Sequence, residues 1–234
     1  MSFQILSGTP HQMGAHHDGD GVNFAVFSAH ADKIELCLFS EDGNTEVQRL
    51  VLPERTGDVW HGYVPDLPVG ALYGFRAHGT YAPEQGHRFN ANKLLLDPYT
   101  REVRGNFANH KAVLGYDKTA TEADLSFSKT DSAPYVAKSV ISAPSLFANN
   151  EPRLSRAWDE TLIYEAHVKG LTQRHPEIPT AIRGTYEAMA ADPILDHLQN
   201  LGVTAVELLP VHAFINDGFL LDKKLTNYLS LIHI

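Results

Sequence analysis

The sequence predicts a β-sandwich of about 100 residues, followed by an α/β stretch that opens a (β/α)₈ barrel and ends inside it. Three observations carry this expectation. Short strand-like runs recur every ten or so residues between Val22 and Ala77, separated by turn residues. Two near-continuous apolar runs lie in TLIYEAHVKGLT at 161–172 and LGVTAVELLPVHAF at 201–214, the pattern of strands buried on both faces of a parallel sheet. Between these runs sits a helical segment with its own start and stop signals.

Taken in order, residues 1–21 read as a loop rich in Gly and His. Val22, Phe24 and Val26 then alternate with Asn23, Ala25 and Phe27, and Ile34, Leu36 and Leu38 alternate with Glu35, Cys37 and Phe39. Asp42-Gly43 signals a hairpin, with Val47 to Leu52 as the returning strand. Further strands are expected at Val59–Val64 and Ala71–Ala77, with Pro65 and Pro68 marking the turn between them. From Asn106 to Ala157 the periodicity fades into Ser, Thr, Asp, Asn and Pro, which predicts a surface connector over 105–157, after a sandwich over 1–104. Trp158 is expected to pack where that connector ends.

The second part, 158–228, reads strand, helix, strand. Asp192 is expected to cap a helix with Pro193 in its first turn. Ile194, Leu195, Leu198 and Leu201 follow at helical spacing, and Gly202 sits where a helix end favours a left-handed residue. A nucleotide-binding sheet would need a glycine-rich turn after its first strand. Here Glu165, Ala166, His167, Val168 and Lys169 precede a single Gly170, a poor cradle for phosphate. A barrel tolerates any residues at its strand ends and accommodates an excursion such as 170–192.

Bulk properties narrow the function classes. A hydrophobic fraction of 43% and a charged fraction of 20% describe an ordinary globular chain. A net charge of −9 argues against nucleic acid or an anionic membrane as partner. No apolar run approaches the roughly 20 residues needed to span a bilayer, and MSFQILSGTPHQ lacks the plan of a signal peptide. Cys37 is the only cysteine, so no internal disulfide is possible and a reducing cytoplasm is the expected compartment. No cofactor is expected, and no metal: the spacing in HQMGAHHDGDG matches no ligand set, and the calcium-loop pattern that Asp18 and Asp20 begin ends on Ala29 instead of Glu.

Several stretches, in one order, resemble a known family. YEAHVKGLT, RGTY at 183–186 and DHLQNLGVTAVELLPVHAF are similar to the first two barrel strands of bacterial glycogen debranching enzymes, isoamylase-type members of the α-amylase superfamily (glycoside hydrolase family 13). DGDGVNFAVFSAHADKIELCLF at 18–39, VWHGYVPDLPVGALYGFR at 59–76 and GHRFNANKLLLDPYTREV at 86–103 resemble the domain that precedes that barrel. The resemblance implies a carbohydrate-binding-module-like sandwich of immunoglobulin-like topology. It also implies a parent enzyme that hydrolyses α-1,6 branch linkages in glycogen or another branched α-glucan, with retention. A branching enzyme, a trehalose-forming hydrolase and a non-catalytic glycan-binding module are the alternatives. The match stops after Tyr228, and LSLIHI at 229–234, also the translation of a sequencing-adapter end, is expected to be a non-native tail.

Retaining hydrolysis needs two carboxyl groups about 5 Å apart. By resemblance these come from later strands, so no catalytic residue is expected in this chain. Glu165 and Glu207, at matching places in their strands, are expected to be structural. Candidates for sugar contact are His212, just beyond the second strand; Tyr228, at the start of a family segment that stacks on glucose rings; and Trp60, in the sandwich. Alternation places Trp60 on the face opposite Tyr63.

Overall fold

A computed structural model describes residues 2–143, 156–211 and 215–225. The chain divides into two compact units, Met1–Ala148 and Asn149–Ile234.

The first unit is a sandwich of two antiparallel sheets. One contains β1 (Gly14–His17), β2 (Gly21–Phe27), β5 (Glu54–Thr56) and β6 (Val59–Pro65), in the order β1-β2-β6-β5. The other contains β3 (Lys33–Phe39), β4 (Glu46–Val51), β7 (Leu72–His78), β10 (Val103–Arg104) and β11 (Lys138–Val140), in the order β10-β11-β7-β3-β4. A small ribbon of β8 (Tyr81–Ala82) and β9 (His87–Arg88) stands apart. The predicted alternation places Val22, Phe24, Val26 and Val64 of the first sheet in one core with Ile34, Leu36, Leu38, Tyr73 and Phe75 of the second. Phe24 meets the edges of Tyr73 and Phe75 at ring-centroid distances of 5.2 and 6.4 Å, so aromatic contacts bridge the sheets.

Two expectations about this unit are corrected. Residues 1–21 are more than a loop, because β1 pairs with β2 from Gly14↔Ala25 to His17↔Val22. Nor is 105–157 a surface connector throughout. Its β11 lies inside the second sheet, between β10 and β7, and Ser139 and Val140 are buried. Around it Leu94, Ala133, Val136 and Val140 pack with Cys37, Phe39 and Leu72, so the second sheet is covered on its outer face as well. The expectation failed because what ties this segment down is polar, and polar anchors leave no hydrophobic period.

Those anchors come from the NANKLLLDPY stretch, from β7 and, at Lys138, from the segment itself. Asn90 donates to the carbonyls of Gly115 and Ser128. The buried Lys93 amine donates to Ala112 O at 2.9 Å, Ser128 Oγ at 3.0 Å and Thr130 O at 2.6 Å, while burial lowers its pKa. Lys138 donates to Ala133 O and Val136 O, and burial lowers its pKa too. Arg76, 2% exposed, donates to Ala91 O, Glu46 and both oxygens of Asp131. Burial works against the Arg76 charge, but Asp131 and Glu46 hold its pKa above the usual guanidinium value. Asp97 accepts from the Tyr73 hydroxyl at 2.7 Å and from the Tyr99 amide at 2.8 Å. A buried polar group left without such partners costs about 1–3 kcal/mol, so these bonds fix where the segment runs.

The second unit pairs β12 (Ile163–Ala166) with β13 (Ala205–Leu208) in parallel. The crossover folds into α1 (Val168–Thr172), α2 (Tyr186–Met189) and α3 (Asp192–Asn200), and α4 (Gly218–Leu221) follows β13. Ile178, Ala188, Ile194 and Leu198 form the core of this unit, with Tyr164, Leu171 and Val203 packed on it. The predicted helix is present, with Asp192 inside its first turn and Ala191 at the cap position. Gly202, at φ 75°, closes the helix: its amide donates to Gln199 O, and Val203 N donates to Leu198 O. Burial of both strand faces is not found. Leu162, Ile163 and Val206 are 48%, 48% and 42% exposed, because the described helices cover only one face of a two-stranded sheet. Trp158 is 85% exposed, contrary to the expected packing.

Candidate functional site

A cavity of about 250 Å³ lies at the C-terminal ends of β12 and β13. The chain turns out of β12 at His167, whose Nδ1 accepts from the Gly170 amide at 3.0 Å and starts α1. Opposite, Gly184, Thr185 and Tyr186 enter α2, and Leu209, Pro210 and Val211 leave β13. Thr185 Oγ1 accepts from Ala188 N at 3.3 Å, capping α2, and donates to Ile182 O at 2.7 Å.

The loop between α1 and α2 is closed on itself. Thr172, fully buried, accepts the Gly184 amide at 2.8 Å across twelve residues. Arg183 donates back to Ile178 O and Pro176 O, at 2.8 and 3.2 Å, and Ile178 plugs the core of the unit. Tyr186 is thereby held at the cavity wall, 59% exposed, with its hydroxyl donating to Val211 O at 3.4 Å. His167, Lys169, Thr185 and Tyr186 offer the cavity hydrogen-bonding groups and an aromatic edge. No carboxylate lines it among the described residues, so it holds no acid–nucleophile pair.

His212 and Tyr228 lie outside the described residues. Trp60 belongs to the first unit, where it packs half-buried against the core. Its Nε1 donates to Ser28 O at 3.1 Å, and the Arg55 guanidinium sits over its ring, 5.3 Å from the centroid. Tyr63 points the other way, its hydroxyl donating to Asp18 at 3.0 Å. Asp18 also accepts from the amides of Asp20 and Gly21, and these bonds bring its pKa below the ordinary carboxylate value; it shapes a turn. Glu165 and Glu207 are partners in the register of β12 and β13, and both are exposed. Thr172, Thr185 and Tyr186 were not singled out as site residues. Thr185 and Tyr186 had a signal in RGTY, a glycine at a loop end followed by a capping threonine and an aromatic; Thr172 had none.

Comparison with known proteins agrees with this architecture. Residues 12–100 match the family described as carbohydrate-binding module 48 (isoamylase N-terminal domain). Over 224 residues the chain is 46% identical to glycogen operon protein GlgX homologs of Mycobacterium bovis and Mycobacterium tuberculosis. That alignment covers 96% of this chain and 31% of each relative, so the chain spans about a third of the length of the curated relatives it matches. Among solved structures, the catalytic module of the glycogen-degrading pneumococcal virulence factor SpuA superposes with a TM-score of 0.61 at 21% identity, over 89% of this chain and 28% of that one. Apo pullulanase from Paenibacillus barengoltzii also gives 0.61, at 17% identity, over 88% of this chain and 28% of that one. At such identities the two structures speak for the fold alone. The sandwich is thus similar to the isoamylase N-terminal domain, and over 96% of its length the chain is similar to proteins described as glycogen operon protein GlgX homologs.

Proposed function

We propose that the chain is the N-terminal part of an enzyme that hydrolyses α-1,6 branch linkages in glycogen-type glucans with retention at the anomeric carbon. The observation that carries this is the 46% identity, over 224 residues, to proteins described as glycogen operon protein GlgX homologs. In this reading β12 and β13 are the first two strands of a (β/α)₈ barrel, whose chemistry takes place at the C-terminal strand ends. The parallel pairing and the cavity at that end support it. The carboxylate pair belongs to later strands, and the enzyme works in the cytoplasm on branched α-glucan. Trp60, His212 and Tyr228 are the proposed sugar contacts, Trp60 through whatever edge Arg55 leaves open. A chain extended to the length of its relatives is expected to release linear chains from amylopectin. The 234-residue chain is expected to release none; release by it would overturn the placement of the carboxylates outside it.

The module match over 12–100 favours a second role, glycan binding by the sandwich itself. Co-sedimentation of the first unit with glycogen tests it: retention supports binding, and its absence leaves the sandwich a packing element.

A further inference from the structure

Residues 2–9 form a strap along the edge that β6 leaves open beyond β5: β5 pairs with Val59, Trp60 and His61, and Leu6 pairs with Tyr63. Gln48 of β4 grips Phe3 through its side-chain amide, accepting from Phe3 N at 2.7 Å and donating to Phe3 O at 2.6 Å. Asn23 of β2 grips Thr9 in the same way, at 2.8 and 3.0 Å. Between these ends Leu6 and Tyr63 exchange backbone hydrogen bonds of 2.7 and 2.9 Å, and Ser7 donates to Glu54 Oε1 at 2.7 Å. Two side-chain amides thus do for the ends of the strap what a neighbouring strand does for its middle.

The seat is shaped for this segment. Phe3 and Ile5 pack against the first core, and the Ile5 side chain stands where a Cβ at Gly62 would be. A Cβ at Gly8 would come within 2.6 Å of the Gly62 carbonyl carbon and 2.7 Å of Asn23 Oδ1, so the chain must be bare there. Losing the strap takes these partners from the Tyr63 backbone and from the buried Asn23 side chain, a cost that an identical segment removes in full. The link to β1, in contrast, is short and strained. Pro10, His11, Gln12 and Met13 join the strap to Gly14, and the exposed Gln12 sits at φ 70°, in the left-handed region that is costly for a residue with a side chain. Among the described residues, the hydrogen bond between strap and link runs from His11 N to Thr9 Oγ1 at 3.3 Å. Drawn straight, the four residues of the link reach about 13 Å, and Gln12 is relieved of its left-handed backbone.

We propose that the strap is exchanged between two copies of this chain: in the pair, residues 2–9 of each molecule lie in the other's seat, and the link to β1 is drawn out straight. The closed chain and the exchanged pair make the same strap contacts. What separates them is the entropy of association against the relief of two strained links, the balance on which segment exchange turns.

Analytical ultracentrifugation of the full chain, equilibrated up to about 1 mM, tests the exchange through the link. The wild type is expected to form dimers. Gln12→Gly, which removes the strain of the closed link, should weaken dimerisation about tenfold or more. Gln12→Val, whose branched side chain resists left-handed backbone, should strengthen it. Gln12 is exposed, so both variants fold. In a dimer assembled from equal parts of isotope-labelled and unlabelled chain, the contact between Phe3 N and the Gln48 side-chain amide should appear between molecules in isotope-filtered NMR spectra. A wild type that stays monomeric, a dimer indifferent to both substitutions, or a Phe3–Gln48 contact confined within each molecule overturns the proposal.

Discussion

Glu165 and Glu207 sit side by side in the parallel pair of β12 and β13, partners in register and on one face of the sheet. Like charges placed directly across a strand pair repel by roughly 0.2–1 kcal/mol. Glu207→Gln is therefore expected to stabilise the second unit by that amount, read as slower exchange at the Leu209 amide, which bonds Ala166 O at 2.9 Å. Faster exchange would mean that the two carboxylates hold something together rather than push apart.

Cutting the chain after residue 104 is expected to destroy the sandwich, and cutting after 148 to spare it. The shorter fragment loses β11 from the middle of its sheet and strips the cover from Leu72, Leu94 and Phe39. It also leaves Lys93 without its three acceptors and Arg76 without Asp131. Limited proteolysis should accordingly leave a core reaching beyond Ile141; a stable fragment ending near 104 contradicts this.

Arg76→Met should cost roughly 3–5 kcal/mol, the penalty for removing one partner from a buried ionic cluster. Glu46, 19% exposed at its side chain, is the carboxylate left in the poorer position. A urea-unfolding midpoint near that of the wild type would show that Asp131, 54% exposed, and Glu46 turn to water at no cost.

Acid and neutral pH are expected to separate Asp97 from Glu35. Burial raises the Asp97 pKa although Tyr99 and Tyr73 bond the carboxylate. The folded chain holds that proton more firmly than the unfolded one, so stability falls as pH rises through the window above 3.8. Asp97→Asn should remove that fall. At Glu35 burial pushes the pKa up, but hydrogen bonds and charge from His78 and Lys33 bring it below the ordinary value of 4.5. Its contribution is present above that value and lost as pH drops below it, and Glu35→Gln should forfeit about 1–2 kcal/mol at pH 7. Unfolding midpoints measured from pH 3 to 7 distinguish the two signs.

Gly184→Ala is expected to loosen the cavity wall. Gly184 sits at φ 76°, and a methyl there would meet Gln173 Oε1 and Lys169 Cγ. A left-handed alanine costs about 1–2 kcal/mol, here charged to the loop that carries Tyr186. Thr172→Val, which removes the acceptor of the Gly184 amide, should act in the same direction. Faster proteolysis between α1 and α2, with the sandwich unaffected, is the expected sign.

The parts legible in the sequence were those written as apolar period or turn chemistry. Alternation at Val22–Phe27 and Ile34–Phe39 placed β2 and β3 within a residue of their ends. Asp42, whose pKa bonds from Ser40 and Asn44 draw down to about 2, marked the turn before β4. Pro193 and Gly202 bracketed α3. β1 escaped because GAHH carries no apolar alternation, and β11 because KSV is three residues whose company is set by Arg76, Asn90 and Lys93 far earlier in the chain. The exposed faces of β12 and β13 went unforeseen because an apolar run states what a strand can bury, not what is there to bury it. At the site, Thr172 was invisible for a related reason: its single hydrogen bond to Gly184 across a loop leaves no periodic trace.

The place of β11 also sets a timetable for the nascent chain. β7 is complete once His78 has been made, yet the strand that seals its open edge is not finished until Val140. At a synthesis rate of about 5–20 residues per second, the ribosome needs roughly 3–12 seconds to supply it. For that interval a hydrophobic ledge built on Leu72 stands ready to pair with any passing polypeptide, which makes this stretch of translation the one where a chaperone has the most to guard.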